Sequence, residues 1–282
     1  CIVLFALAAG CAPKQKPLTD YVNPLLGTAT LWDSVDLGFK PTKRTWGAEV
    51  FPGSSLPNAM VQVSPVTKFH SGAGYQYEDS VIYGFTHTNK GHWNLCHIPL
   101  LPVTGTPTPG DYCSPFSHER ESAAPGYYQV FLDRYGVDAQ LSSTLRCAFH
   151  KYTYPAGAAP AVLADLQRSN EHVRAWDIRK EGDNVFAGWQ QTGEKMYFYA
   201  VANRPVTGIE PVVEGDREVR IVRFGEGDGA LELRIGFAFV SEKNARENLE
   251  AEMLGKSFAE VRSEATATWN DLLGRILSLI HI

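Results

Sequence analysis

The 282-residue sequence lacks the features that mark several protein classes. It has no Lys/Arg-rich stretch, and its 26 basic and 31 acidic residues are interspersed along a chain of formal net charge -5. This distribution argues against nucleic-acid binding, because phosphate backbones are neutralised by clustered cations. No internal repeat or low-complexity segment interrupts the chain. The remaining composition, 44% hydrophobic and 20% charged, is that of a globular protein with a sizeable core.

Cysteine is also scarce, with five residues in the chain. Cys1 and Cys11 fall in the N-terminal segment, which leaves Cys96, Cys113 and Cys147 in the body. An exported protein of this composition has room for one disulfide, and an odd count leaves at least one thiol free. The sequence does not decide which of the three pair.

The N-terminal segment predicts export. Its apolar run is too short to span a bilayer and matches the h-region of a signal peptide. Residues 7–11 (LAAGC) are typical of a bacterial lipobox, so we expect Cys11 to carry lipid and anchor the protein to a membrane, in the periplasm or at the cell surface. An ordinary signal peptide with an incidental Cys11 is the alternative. At the other end, residues 277–282 (LSLIHI) match a translated sequencing adapter, with a genuine apolar tail as the alternative.

Period-2 hydrophobicity predicts many short strands. The plainest is residues 231–239, in which Leu231, Leu233, Ile235, Phe237 and Phe239 share one face. Similar signals cover residues 128–132, 137–141, 147–154, 161–166, 173–179, 185–190, 196–202 and 218–224. Because no helices are interleaved, we predict a mainly β fold, a large antiparallel β-sandwich of the supersandwich kind.

The pattern changes to a helical period after residue 240. One helix is predicted over residues 245–254, and a second begins after Ser257, with Glu260 completing a capping box. The second helix has an apolar face made of Val261, Ala265, Trp269, Leu272, Leu273 and Ile276. We therefore divide the chain into a leader and tether at 1–19, a sandwich at 20–241, a helical linker at 242–276 and the adapter-like end at 277–282.

Three separated motifs carry a resemblance to a known family. They occur in one order and are residues 20–28 (DYVNPLLGT) with 47–53 (GAEVFPG) and 57–65 (PNAMVQVSP), then 82–105, and finally 124–130 (APGYYQV) with 145–150 (LRCAFH). From about residue 20 to residue 239 the chain resembles the N-terminal domain of glycoside hydrolase family 92, the exo-acting α-mannosidases.

The resemblance implies a fold and an activity. It implies a two-domain, inverting exo-α-mannosidase that depends on Ca²⁺, prefers α-1,2 linkages and acts on mannose-containing glycans. The catalytic acid, the catalytic base and most calcium ligands would lie in an (α/α)6 barrel that follows the two helices. Inversion needs two carboxyl groups on opposite faces of the sugar, and the sequence shows no such pair. We therefore expect this chain to be the N-terminal part of that enzyme and inactive alone, with the barrel as its partner.

The candidate sugar contacts lie in two loops. Residues 86–94 (THTNKGHWN) form a polar segment with one aromatic residue, which the resemblance places beside the leaving-group sugar. An indole suits the C–H face of a hexose, so Trp93 is the first candidate, and His92 and Asn94 would bond hydroxyls. Glu49 and Phe51 lie in a Gly/Pro-rich loop and are weaker candidates. A structural role is the alternative for each of them.

Two other interpretations stay open. His87, His92, Cys96 and His97 contain zinc-ligand residue types, although their spacing fits no common zinc motif. The chain could also be a lipid-anchored carbohydrate-binding sandwich without catalysis. No nucleophile elbow or phosphate-binding glycine loop is present in the sequence.

Overall fold

The computed structural model describes residues 16–30, 49–90 and 94–276, with Lys90 and Asn94 described by their backbone. Those ranges contain two short 3-10 helices, Leu18–Tyr21 and His118–Arg120, and two α-helices, α1 at Glu242–Glu252 and α2 at Phe258–Gly274. The strands in these ranges are β1 Ser54–Ser55, β2 Gln62–Val66, β3 Val81–Ile82, β4 Gly84–Thr86, β5 Asn89–Lys90, β6 Asn94–Leu95, β7 Leu100–Val103, β8 Ser114–Pro115, β9 Glu121–Ala124, β10 Tyr127–Leu132, β11 Val137–Ser143, β12 Cys147–Thr153, β13 Ala161–Ala164, β14 Ala175–Gly182, β15 Val185–Gln191, β16 Lys195–Ala202, β17 Val206–Glu214, β18 Arg217–Phe224 and β19 Leu231–Ala238.

Two large antiparallel sheets form a sandwich. The first has seven strands in the order β1-β2-β4-β7-β13-β18-β17, and the second has eight in the order β14-β15-β16-β19-β12-β11-β10-β9. Short ribbons pair β3 with β8 and β5 with β6. The main apolar core takes residues from both sheets. The predicted mainly β sandwich followed by two helices is confirmed.

Strand β19 shows how the alternating pattern builds the core and how a helix modifies it. Leu231, Leu233, Ile235 and Phe237 are fully buried on the predicted face. Phe239 was wrongly included on that face, because β19 ends at Ala238 and Phe239 is 41% exposed. The opposite face of the strand is covered by α1, and this helix contacts β19 more extensively than it contacts any other strand.

A second apolar layer lies between the eight-stranded sheet and the two helices. The sheet contributes Tyr127, Cys147 and Phe149, and the helices and their connection contribute Leu249, Met253, Phe258 and Val261. The Phe149 and Phe258 rings meet edge to face, with centroids 5.2 Å apart. Burying one such side chain stabilises the fold by about 1.5–3 kcal/mol. The helices therefore cover the sheet instead of standing apart from it.

The two helices begin at side-chain caps. The Ser241 hydroxyl accepts from the Asn244 amide at 3.1 Å, which starts α1 three residues before the predicted position. The capping box predicted at α2 is confirmed, with Ser257 Oγ accepting from the Glu260 amide and the Glu260 carboxylate accepting from the Ser257 amide. Such caps satisfy amides that the first helical turn leaves without partners.

The predicted apolar face of α2 is buried over only part of its length. Val261 and Ala265 are buried, and Trp269 is half-buried with its indole N–H donating to the Ser55 carbonyl at 2.7 Å. Leu272 is 36% exposed and Ile276 is 88% exposed. The apolar face predicted for α2 is therefore covered by the sandwich in its first turns, while Leu272 and Ile276 near its end stay exposed.

Strand β17, which carries no period-2 signal, is an edge strand of the seven-stranded sheet. Among the strands of the described ranges it pairs with β18 alone, with a register shift between Val206 and Gly208 and with Pro211 opposite Arg220. Proline lacks the amide hydrogen that a central strand must donate, so its place at a margin agrees with its chemistry.

The three body cysteines are free thiols in the structure: Cys96, Cys113 and Cys147. None of the helices within the described ranges has the length and apolar character needed to cross a membrane.

Candidate functional site

The candidate sugar loop is a short β-ribbon that projects between β4 and β7. Asn89 pairs with Leu95 and Lys90 pairs with Asn94, while residues 91–93 lie outside the described ranges. The ribbon was predicted only as a polar loop. Leu95, Cys96 and Ile98 follow it with φ angles of 66°, 61° and 54°. This left-handed region costs a residue with a side chain about 1 kcal/mol or more, and the surroundings must hold it.

Hydrogen bonds from neighbouring segments hold this strained backbone. The Ser169 hydroxyl and the Asn170 amide both donate to the Leu95 carbonyl, at 2.6 and 2.9 Å. The Ile98 amide donates to Gln190 Oε1 at 2.8 Å, and Gln190 is fully buried. The returning strand of the ribbon is therefore fixed to the segment after β13 and to β15.

A second set of bonds fixes the outgoing strand. The Asn89 amide donates to Gln62 Oε1 at 3.0 Å, and the Asn89 side-chain amide donates to the Gln62 carbonyl at 2.7 Å. The Thr86 hydroxyl donates to Asn89 Oδ1 at 3.1 Å. Both described strands of the ribbon are therefore anchored by buried or half-buried partners.

Beneath the ribbon lies a buried chain of three side chains. His87 Nδ1 lies 2.8 Å from the Ile98 carbonyl, His87 Nε2 lies 2.9 Å from His150 Nε2, and His150 Nδ1 lies 2.6 Å from the Tyr152 hydroxyl. The carbonyl only accepts, so His87 carries its hydrogen on Nδ1 and accepts at Nε2. His150 must then donate from Nε2, and its Nδ1 accepts from Tyr152.

Burial keeps both imidazoles of this chain neutral. It lowers the pKa of His87 to about 3. Burial, together with the neighbouring His87, also holds the pKa of His150 well below its usual value. A protonated ring would place two N–H groups against each other, so the direction of the bonds depends on neutrality.

His97 is fixed in a similar manner on the other side of the strand. Its Nδ1 accepts from the Thr88 hydroxyl at 2.8 Å, and its Nε2 donates to the Thr192 hydroxyl at 2.9 Å. Thr192 in turn donates to the Glu171 carboxylate at 2.6 Å. Burial lowers the pKa of His97, and the nearby Glu171 partly opposes that shift.

Most of the sequence-predicted contacts of the ribbon fall outside the described ranges. Trp93 and His92 lie outside the described ranges, and for Asn94 the structure gives the backbone pairing with Lys90. Cys11 also lies outside the described ranges. The sugar-contact predictions for the ribbon therefore remain predictions.

Glu49 and Phe51 lie in a different place, in a cavity of about 320 Å³ beside α2. Its other walls include Val22, Trp269 and Leu273. The cavity shares none of its lining residues with the ribbon. Its walls are largely apolar, and the roles of Glu49 and Phe51 as sugar contacts remain predictions.

The metal-ligand residue types near the ribbon are engaged with protein groups. His87 and His97 use both ring nitrogens, and burial raises the pKa of the Cys96 thiol to about 12. A metal ligand must be a thiolate or a free imidazole nitrogen. Across the part of the chain that the structure describes, no group of three or more His, Cys, Asp or Glu side chains could hold a metal ion. His87, His97 and Cys96 are therefore engaged as structural groups and do not fit the zinc interpretation.

Comparisons with known proteins agree with this architecture. The family model described as the glycosyl hydrolase family 92 N-terminal domain matches residues 21–251. A family GH92 α-mannosidase of Bacteroides thetaiotaomicron superposes with a TM-score of 0.81 at 25% identity, covering 94% of this chain and 39% of that one. A complex of that α-mannosidase with mannoimidazole gives 0.79, also at 25% identity, covering 92% and 37%.

Two further relatives are more distant in sequence. An inverting family GH92 mannosidase of the same organism has a TM-score of 0.75 at 23% identity, covering 94% of this chain and 37% of that one, and so supports the fold alone. An uncharacterised secreted glycosidase of Arthroderma benhamiae is 24% identical over 94% of this chain and 39% of its own length. The chain thus spans about two fifths of these relatives, over their N-terminal part, and it belongs to glycosyl hydrolase family 92 as the N-terminal domain of that family.

Proposed function

We propose that this chain is the N-terminal domain of an inverting exo-α-mannosidase that removes α-1,2-linked mannose from glycans. The observation that carries the proposal is the match to an α-mannosidase at 25% identity over 94% of the chain, with a TM-score of 0.81. The mannoimidazole complex of that relative supports mannose as the sugar recognised.

The secreted relative supports export, and we propose that lipid on Cys11 anchors the protein. Labelling by palmitate that survives Cys11→Ser would contradict the anchor.

In this proposal the chain supplies a wall of the sugar cleft and not the reacting groups. The sandwich at 20–241 holds the ribbon, and the helices at 242–276 lead to the catalytic domain. The general acid, the general base and most of the Ca²⁺ ligands belong to that domain. The cation, when bound there, would supply positive charge beside the sugar, while the residues described here position the ribbon and contribute no metal ligand.

The ribbon is the part of the chain that we assign to the leaving-group sugar. Trp93 would stack on the C–H face of the hexose, and His92 and Asn94 would bond its hydroxyls. The strained residues Leu95 and Ile98, each held by buried partners, fix the described backbone that follows this segment. Glu49 and Phe51 stay predictions as sugar contacts, because they lie in the cavity beside α2.

The test compares two substrates of the longer enzyme that contains this domain. Trp93→Ala should lower kcat/KM on α-1,2-mannobiose by about tenfold or more, a loss of about 1.4 kcal/mol of transition-state binding. On α-mannosyl fluoride, which has no leaving-group sugar, the same variant should match the wild type. The control is Trp189→Ala, since Trp189 lies on β15 with the Lys195 ammonium 3.8 Å from its ring centroid.

The outcomes separate the alternatives. A loss confined to mannobiose supports the assignment of Trp93, whereas equal losses on both substrates, or none, remove it. The chain alone should show no turnover of mannobiose. If the longer protein also binds mannosides without hydrolysing them, the domain belongs to a carbohydrate-binding protein and the proposed activity is wrong.

A further inference from the structure

A large basic cleft lies beside the segment that follows β13. Its volume is about 930 Å³, which is within the range of small-ligand sites. Four cationic side chains line it, together with one carboxylate, Glu171. The cationic residues are Lys68, Arg168, Arg174 and Arg217. This excess of positive charge stands out in a chain whose formal net charge is -5.

Two of the cations are held in place by one buried carboxylate. Asp165 is fully buried and lies 2.6 Å from Arg217 Nη2 and 3.7 Å from Arg168 Nε. It also accepts from the Tyr112 hydroxyl at 2.6 Å. Because one carboxylate serves two guanidinium groups, the group of three keeps a net positive charge. Asp165 thereby orients the two arginines without neutralising both.

The other two cations have no such partner. Lys68 and Arg174 are exposed at the cleft, and no carboxylate in the described ranges lies within ion-pair distance of either one. A cation in a concave, partly desolvated site attracts an anion more strongly than one on an open surface. The cleft therefore offers two unpaired positive charges next to two oriented ones.

Aromatic rings complete the walls. The Arg168 guanidinium lies over Phe69 and Tyr83, 5.4 and 5.2 Å from the ring centroids. Trp176 also lines the cleft, and Arg220 lies 5.3 Å from its ring centroid. Cation–π contacts of this kind fix the planes of the guanidinium groups. Half-buried aromatic rings beside fixed hydrogen-bond donors are typical of a site for a sugar.

We propose that this cleft binds a sugar residue that carries an oxyanion, either a phosphate or a carboxylate group. Lys68 and Arg174 bind the oxyanion, the fixed Arg168 and Arg217 add donors, and Trp176 contacts the sugar ring. Arginine suits this task because its planar donors match an oxyanion in pairs. The inference does not depend on which bond the longer enzyme hydrolyses, because it concerns binding by residues of this chain.

Calorimetric titration of the chain tests the proposal with four probes: mannose 6-phosphate, glucuronate, mannose and inorganic phosphate. At least one of the two anionic sugars should bind at least about tenfold more tightly than mannose. Tighter binding of mannose 6-phosphate would identify phosphate as the preferred group, and tighter binding of glucuronate would identify carboxylate. Its binding should weaken as salt is raised from 50 to 300 mM, a range over which charge screening increases. Equal binding of mannose and the anionic sugars overturns the proposal, and so does inorganic phosphate that binds as tightly as the sugar phosphate.

Variants connect the binding to the cleft. Lys68→Gln and Arg174→Gln, both at exposed positions, should each weaken the anionic sugar about tenfold. Trp176→Ala should weaken the sugar but not inorganic phosphate. The control Lys243→Gln removes the same charge on α1, where the side chain is 83% exposed and pairs with Glu247. If Lys243→Gln weakens binding as much as Arg174→Gln, or if the longer enzyme does not bind the sugar at all, the assignment fails.

Discussion

The buried chain of His87, His150 and Tyr152 makes a quantitative prediction about stability. In His150→Leu, His87 Nε2 loses its donor and the Tyr152 hydroxyl loses its acceptor, and both atoms stay buried. A buried polar group without a partner costs about 1–3 kcal/mol, so the variant should lose about 2–6 kcal/mol of unfolding free energy. Tyr152→Phe alone leaves only His150 Nδ1 without a hydrogen-bond partner and should lower the unfolding free energy by about 1–3 kcal/mol.

The combination of the two changes is the informative measurement. In the His150→Leu background, Tyr152→Phe removes a hydroxyl that has already lost its partner, so the second change should cost about 0.5 kcal/mol or less, or should stabilise the protein. The coupling free energy between the two positions should therefore be about 1–3 kcal/mol. Urea unfolding followed by circular dichroism, for the wild type, both single variants and the double variant, gives this number.

A matched control isolates the hydrogen-bonded chain. Tyr135 is also buried, and its hydroxyl donates to the Tyr112 carbonyl outside this chain. Tyr135→Phe and His150→Leu should therefore be additive within about 0.5 kcal/mol. If Tyr152→Phe is equally additive with His150→Leu, the direction of the bonds derived from the structure is wrong.

Two further predictions concern stability in acid and the close contact between α1 and strand β19. As the pH falls from 6.5 to 5, His87 and His150 become protonated in the unfolded chain but stay neutral in the folded protein. The unfolding free energy should therefore fall by up to about 1.4 kcal/mol per pH unit for each histidine. A pH profile that is flat, or equally steep in His150→Leu, would contradict this. Gly236→Ala would place a Cβ 2.1 Å from the Ala245 carbonyl and should cost about 1–3 kcal/mol in urea unfolding. Gly208→Ala, with no atom within 4 Å, should stay within about 0.5 kcal/mol, and equal effects would refute the close contact.

Much of the sandwich is predictable because half-buried strands leave a period-2 signal. Residues 128–132, 137–141 and 231–235 show alternating burial that matches their alternating hydrophobicity. Strand β17 was missed because Gly208 and Pro211 interrupt its pattern and most of its side chains are exposed. A strand at the margin of a sheet gains its place from backbone pairing, which side-chain periodicity does not report.

The candidate site is less predictable, because its support comes from distant parts of the chain. The polar character of residues 86–94 indicated the ribbon, but His87 meets His150 across 63 residues and on the opposite sheet. Gln190 reaches Ile98 across 92 residues. No local pattern encodes such pairs, since they depend on how two sheets are stacked.

Strand β17 has a consequence for how copies of the domain meet. An unpaired sheet margin is a template for a strand from another molecule. Here Pro211 offers no amide hydrogen, and the shift of register at Gly208 breaks the regular spacing of donors and acceptors. A second copy therefore finds no continuous ladder to extend. Strand-to-strand polymerisation of the domain through this side of its sheet is therefore disfavoured.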